Sequence, residues 1–451
     1  LGGFEFLSCI PGTVGGGIKM NAGCFEKEFK DILVSIQAID KFGQVITIPA
    51  KEINFKYRGS SLSDELIFLS ASFKGFNKNK DLIRKEMITK ADDYPIHQLP
   101  HPVSEVGTER NFYDRYFFNG YSKENNVYFA AVLCLYPNLN IMDASFTLVD
   151  DGIQHNIRSS RILGLERLDT RVGPIEVKVV KPLEKLALEL SENDSNIVAK
   201  LEFEKRFDPM QEPNMTLFNG PRKIMDTCRL TQHGNWSGEI EVKGKKIKIN
   251  PDEFVGTRDR SWGVRPVGSG DSQPMVPFEM PQFYWLWAPV HFEDLATHIY
   301  YVDNEKGEAN NSFAKIQYQD GKEQSNFVSH SKSVIYKPGT RRVKSLNLNL
   351  KTSEDELFKF EITPEINIFM CGLGYMHPDW GHGQFKGELA FHYDFYDLKD
   401  DPEDPPFLHV QSLCKVELTY PQGKTSGRGV LEQLFLGPHE PSGFKDLFDK
   451  P

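Results

Sequence analysis

From Val127 to Tyr420 the sequence returns at short intervals to runs that suit a β-strand better than a helix, among them VYFAAVLCLYP, IEVKVVKPLEKLALEL, IVAKLEFEKRF, YWLWAPVHF and LNLNLKTSEDELFKFEITP. Asp-Gly, Lys-Gly and Asn-Glu-Lys-Gly separate several of them, and these are residues that accept the positive φ of a tight hairpin turn. Many short strands with little helical periodicity predict antiparallel barrels or sandwiches. The stretch from Asp92 to Pro451 exceeds one such barrel. Two β-domains are therefore expected, dividing near Asn250 to Gly256.

The first part of the chain reads differently. ILVSIQAID, KFG and QVITIP form a hairpin signal with Gly43 in the turn, and LIFLSASFKGF from Leu66 is a further strand. NKNKDLIRKEMITKADD then turns charged and loses its period, which places a boundary near Met87 to Lys90. The expected organisation is 1–87, 88–252 and 253–451, mainly β throughout. The sequence opens on Leu1 with a glycine loop close behind it, and is expected to begin inside a domain.

Composition excludes several classes. With 451 residues, 39% of them apolar, the chain has material for ordinary cores, while a formal charge of −10 without a basic stripe argues against a nucleic-acid partner. No run approaches the ~18 apolar residues of a membrane helix. Six cysteines lie scattered without Cys-x-x-Cys spacing, a usage that suits a reducing cytoplasm.

CIPGTVGGGIKMNAGC, Cys9 to Cys24, is dense in glycine, as a backbone must be where something approaches it closely. Two phosphate-binding patterns fail on it. Gly12 and Gly17 have P-loop spacing, but Ile18 precedes Lys19 and Met20 follows it, and Gly12 to Gly17 does not read as Gly-x-Gly-x-x-Gly. On pattern alone, a cofactor loop and a plain glycine-rich turn both stay open.

The wider segment GFEFLSCIPGTVGGGIKMNAGCFEKEFKDI, with FKYRGSSL and LIFLSASF, strongly resembles the UDP-N-acetylenolpyruvoylglucosamine reductases, flavoenzymes of bacterial cell-wall synthesis. The resemblance covers residues 1–87 and implies a truncated α+β FAD-binding fragment. By it, Ile10, Pro11, Gly12, Thr13, Gly15, Gly16, Asn21 and Gly23 would face flavin, Tyr57 would touch substrate, and Arg58 would be catalytic. A fixed guanidinium suits that last role, because hydride delivered to an enolpyruvyl group builds enolate charge. The family's Gly-Gly-Ser-Thr-Phe-Lys-Asn-Pro segment and its catalytic glutamate have no counterpart after Met87. The fragment is therefore expected to hold FAD weakly or not at all, and not to complete the NADPH-dependent reduction carried out by a UDP-N-acetylmuramate dehydrogenase.

From Asp92 onward, FYDRYFFNGY, GTRDRSWGVRPVG, FYWLWAPVHFEDLATH, HPDWGHG and GVLEQLFLGPH resemble a group related to the lipocalin-like carotenoid 1,2-hydratases and AttH-like proteins. The fold implied is two lipocalin-like antiparallel β-barrels. In TRDRSWG, Asp259 lies between Arg258 and Arg260 with Trp262 close by, a concentration of carboxylate, guanidinium and indole. The resemblance implies that Asp259 protonates an alkene before water adds. Apolar burial would favour the proton-bearing form that this needs, and flanking arginines would disfavour it. On a strand, Arg258 and Arg260 share one face and Asp259 takes the other. Catalysis and an Arg-Asp network closing the domain junction both fit the pattern.

YWLWAPVHF sets Trp285 and Trp287 on one side, as in an aromatic wall. The candidate site is Asp259 facing a cavity with Trp262, Trp285 and Trp287, and Arg258 and Arg260 as further ligand contacts. His377, Asp379 and His382, with Tyr375 nearby, and His97 with His101, have no established zinc spacing, so no metal is expected. Three functional readings follow. One is a composite chain whose barrels bind or modify a hydrophobic small molecule, by acid-assisted hydration or isomerisation. The second is the flavin-dependent reductase, and the third a non-enzymatic lipid carrier.

Overall fold

Strand alternation decides which side chains meet, and in the computed structural model it does so over 3–4, 7, 13–24, 27–76, 93–95, 107–219, 222–270 and 282–450, the residues described here. The chain divides into two compact units at about residue 89. In the first, a short helix, Val14–Lys19, begins on Thr13, whose Oγ1 accepts the Gly16 N–H at 3.1 Å. The expected hairpin is present: Leu33–Ile39 pairs with Val45–Pro49 around Gly43 at φ +81°, and Ile67–Phe73 pairs with its other edge. Ile18, Phe29, Leu33, Ile36 and Leu62 form the core of this unit.

The second unit is two large antiparallel sheets, each curled into a nearly closed barrel, so the mainly β, two-barrel architecture is present. The first sheet runs, in hydrogen-bonding order, Arg171–Val172, Ile175–Lys181, Lys185–Leu190, Ile197–Lys205, Arg222–Val242, Phe254–Val264, Phe112–Ser122, Tyr128–Tyr136, Ile141–Asp150, Ile153–Ile162 and Leu389–Asp397. The second runs Glu323–Gln324, Ala309–Tyr318, Leu295–Asp303, Phe283–His291, Gly423–Leu436, Val410–Tyr420, Leu357–Phe369, Val343–Thr352 and Phe327–Tyr336. Among the described residues no helix is long and apolar enough to cross a membrane.

A division at residues 252 and 253 does not follow these sheets. Phe254–Val264 is held between Arg222–Val242 and Phe112–Ser122 in the first sheet, and Leu389–Asp397 returns from far downstream to complete it. The domains interleave because hydrogen-bonding partners, which sequence spacing does not reveal, decide membership.

Both lumens are filled with side chains. Trp236 packs edge-on to Phe118, Phe129 and Phe203 in the first, and its Nε1–H donates to the Asn119 carbonyl at 2.9 Å. Tyr284, Leu286, Leu348 and Phe360 belong to the core of the second. A third core lies in the seam between the barrels, where Tyr113, Phe117 and Tyr121 of the first sheet meet Trp285, Trp287 and Tyr300 of the second.

Candidate functional site

Phe254–Val264 sits in register with Asp259 opposite Phe117 on one side and Thr231 on the other. Its alternation turns Arg258 and Arg260 into the first barrel. There Arg258 pairs with Asp93 at 2.5 Å and Arg260 with Asp114 at 2.6 Å, all four side chains without exposed surface. Asp259 points the opposite way, out of its own barrel and into the seam. Trp262 lies on the Arg258 and Arg260 face by the same alternation and is half-buried.

In the seam is a cavity of about 170 Å³. Arg115, Phe117, Met215, Met225, Arg229, Asp259 and Arg265 line it from the first barrel's strands and their extensions. Phe283, Trp285, Trp287, His409, Glu432 and Leu434 line it from the second, with Tyr375 and Met376 from the turn after Leu357–Phe369. Asp259, Trp285 and Trp287 therefore share one wall system, whereas Arg258, Arg260 and Trp262 do not line it.

Asp259 is 5% exposed, and both its oxygens lie 3.3 Å from Nη2 of Arg115. The other Nη of Arg115 donates to the Tyr375 hydroxyl. Burial pushes Tyr375 up to about 12, against the pull of Arg115 and Arg265, so at neutral pH it carries its proton. Across the cavity the Trp285 Nε1–H donates to Glu432 Oε1 at 3.0 Å, His409 meets the same oxygen at 2.9 Å, and Gln411 donates to Oε2 at 2.6 Å. Burial alone would raise Glu432, but His409, Gln411 and Trp285 hold it down at about 2. Glu212 behaves alike: burial raises it, while Arg229, His298 and Thr231 bring it to about 2. Arg229 reaches Glu212 at 3.1 Å and also covers the Trp285 ring at 5.4 Å. The arrangement can hold an apolar ring against the indoles and present it to a proton-bearing phenol and a carboxylate fixed by a guanidinium.

Spacing alone did not single out Arg115, Tyr375, His409 and Glu432. Arg115 lies in FYDRYFFNGY and Glu432 in GVLEQLFLGPH, and a charged side chain inside such apolar runs was the available signal. In HPDWGHG, His377 Nδ1 accepts the backbone N–H groups of Asp379 and Trp380, and His382 meets the Leu373 carbonyl and Arg265. His97 and His101 lie outside the described residues.

The glycine segment uses its residues internally. Ile10, Pro11 and Gly12 lie outside the described residues. A side chain at Gly17 would meet the Phe29 ring, and one at Gly23 would meet the Lys27 backbone. Gly15 abuts Phe68, and Gly16 gives its N–H to Thr13. Asn21 donates to Glu28 and the Lys56 carbonyl and accepts from the Lys30 N–H. Tyr57 is 83% exposed, and Arg58, at φ +56°, lies over its ring. Among the described residues, Gly15, Gly16, Gly17, Gly23 and Asn21 are all engaged with neighbours in their own unit.

A family model described as a family of unknown function (DUF8625) matches residues 88–445. The first 88 or so residues are 70% identical to the UDP-N-acetylenolpyruvoylglucosamine reductase of Pelagibacter ubique over 20% of this chain, and span only 29% of that enzyme's length. Among solved structures, an AttH protein from Nitrosomonas europaea superposes at a TM-score of 0.46 with 13% identity, over 72% of this chain and 92% of that one. Kievitone hydratase from Nectria haematococca superposes at 0.40 with 12% identity, over 71% of this chain and 88% of its own.

Proposed function

We propose, for a chain that belongs over residues 88–445 to the family of unknown function DUF8625, that it binds a small apolar molecule between its two barrels. There it carries out acid-base chemistry on a double bond of that molecule. The observation that supports this best is the seam cavity, in which Asp259, Arg115 and Tyr375 face Trp285 and Trp287. In the reaction we infer, the Tyr375 hydroxyl gives its proton to one carbon of the alkene. The Asp259 carboxylate takes a proton from the attacking water in hydration, or from the neighbouring carbon in isomerisation. Arg115 touches both groups and holds them in one geometry. The cavity volume suits a ring or a short chain; a long acyl chain would overfill it, which speaks against the lipid-carrier reading.

The test uses conjugated aryl alkenes in deuterated water, with tryptophan fluorescence reporting binding and proton NMR reporting deuterium uptake at carbon. Asp259→Asn is expected to keep the fluorescence change and lower deuterium uptake by about 10²-fold or more. An Asp259→Asn protein that exchanges as fast as the wild type overturns the catalytic assignment.

The reductase reading has one support, the 70% identity of the first 88 or so residues to part of a flavoenzyme. Since the described loop residues are committed to internal contacts, the purified chain is expected to show no flavin absorption band. A stoichiometric band would instead make Arg58 and Tyr57 the residues to mutate.

A further inference from the structure

The seam cavity has a surplus of hydrogen-bond donors. Its carboxylates are engaged on both oxygens: Asp259 by Arg115, and Glu432 by His409, Trp285 and Gln411. The unpartnered buried polar atoms of its lining residues are the Nε–H groups of Arg115, Arg229 and Arg265, and all three are donors. A buried donor without an acceptor is costly, and more so when it carries charge.

Arg265 differs from the other two. Arg115 has Asp259 and Arg229 has Glu212, whereas among the described residues Arg265 has no carboxylate within ion-pair distance. Its Nη2 meets Nδ1 of His382 at 3.1 Å, and its guanidinium lies 4.5 Å from the Tyr113 ring and 5.8 Å from that of Tyr375. His382 cannot supply a negative charge, and burial together with Arg265 keeps it far below its ordinary protonation range. Arg265 is thus a cation held at the wall of an apolar cavity by two ring faces and a neutral imidazole.

We propose that the ligand of this cavity is an aryl carboxylate, a single aromatic ring that carries the reacting double bond and one carboxylate, with Arg265 taking the carboxylate and the tryptophan wall taking the ring. This rests on the binding reading above and adds one charged end to the apolar body which that reading assigns. The ring follows from the volume, since a cavity of ~150 Å³ holds benzene. The anion follows from the uncompensated charge of Arg265 at the cavity wall, because a guanidinium meets a carboxylate through strong charge-assisted hydrogen bonds.

Benzoate and benzamide have the same ring and nearly the same shape, and only the first is charged. Titrated into the full chain, with tryptophan fluorescence and calorimetry as readouts, benzoate is expected to bind on the order of tenfold more tightly than benzamide. In Arg265→Met the ratio is expected to fall to about one, with benzamide affinity retained. Arg265→Gln, which keeps a polar head without charge, is expected to lower the ratio in the same direction and serves should the methionine variant not fold. Equal affinities in the wild type overturn the anion assignment and leave the binding reading standing. A benzoate preference that survives both variants overturns the role of Arg265. Absence of binding by either probe overturns the binding reading and this inference together.

Discussion

Asp114→Ala is expected to lower the free energy of unfolding by about 3–5 kcal/mol, the cost of leaving a buried charge without its partner. Asp114 has no exposed side-chain surface, and one oxygen pairs with Arg260 at 2.6 Å while the other faces Arg167 at 3.5 Å. Arg260 lies over the Tyr116 ring at 4.1 Å and also donates to the carbonyls of Arg115 and Tyr94, so it cannot swing out to water without unmaking the barrel interior. Removing the carboxylate strands a guanidinium in the aromatic core. Urea unfolding checks this: the midpoint should drop while the slope stays constant. A loss below about 1 kcal/mol would mean that water reaches Arg260 and that the lumen is less closed than its burial indicates.

Stability is expected to peak at mildly acidic pH and to fall on both sides, for reasons of opposite sign. Glu212 and Glu432 are held at about 2, below their ordinary value of 4.5. Their contribution is complete above 4.5 and is lost as pH falls towards 2, at roughly 3 kcal/mol each. Asp143 behaves in reverse. Burial raises it to about 7, more than the Ser160 hydroxyl and the Gly383 N–H lower it. Between about 4 and 7 the native state therefore keeps a proton that the unfolded chain has released, and stability falls as pH rises through that window, by up to roughly 4 kcal/mol. Urea midpoints across the range test both limbs. Glu432→Gln should flatten the acid limb and Asp143→Asn the other, whereas a wild-type profile flat from acid to neutral would contradict both assignments.

The alternation in YWLWAPVHF and in TRDRSWG was legible in the sequence, because a strand's two-residue period fixes faces before any partner is known. It placed Trp285 with Trp287 and set Asp259 against its neighbours. It could not say which face was the lumen. Asp259 lines the seam and the arginines line the barrel, an assignment that depends on a second sheet packing against the first. The guanidinium that meets Asp259 comes from residue 115 rather than from 258 or 260, and Tyr375, His409 and Glu432 arrive from strands and turns far along the chain. Those approaches are set by strand order, which local pattern does not encode. The glycine loop stayed open between two readings for a related reason. Gly17 and Gly23 leave room for Phe29 and the Lys27 backbone, and close approach by the protein's own atoms looks the same in sequence as close approach by a cofactor.

The return of Leu389–Asp397 to the first sheet has a consequence for biosynthesis. A ribosome delivers ~5–20 residues per second, so the edge strand Ile153–Ile162 leaves the exit tunnel on the order of ten seconds or more before its neighbour. During that interval its outer row of amides and carbonyls is unpaired, and Arg158, buried in the finished protein, has yet to meet Asp394. An open edge next to a filled apolar lumen is a template for strands of other nascent chains. Yield in a heterologous host should therefore depend on translation speed and on holdase chaperones that shield the gap until the late strand emerges.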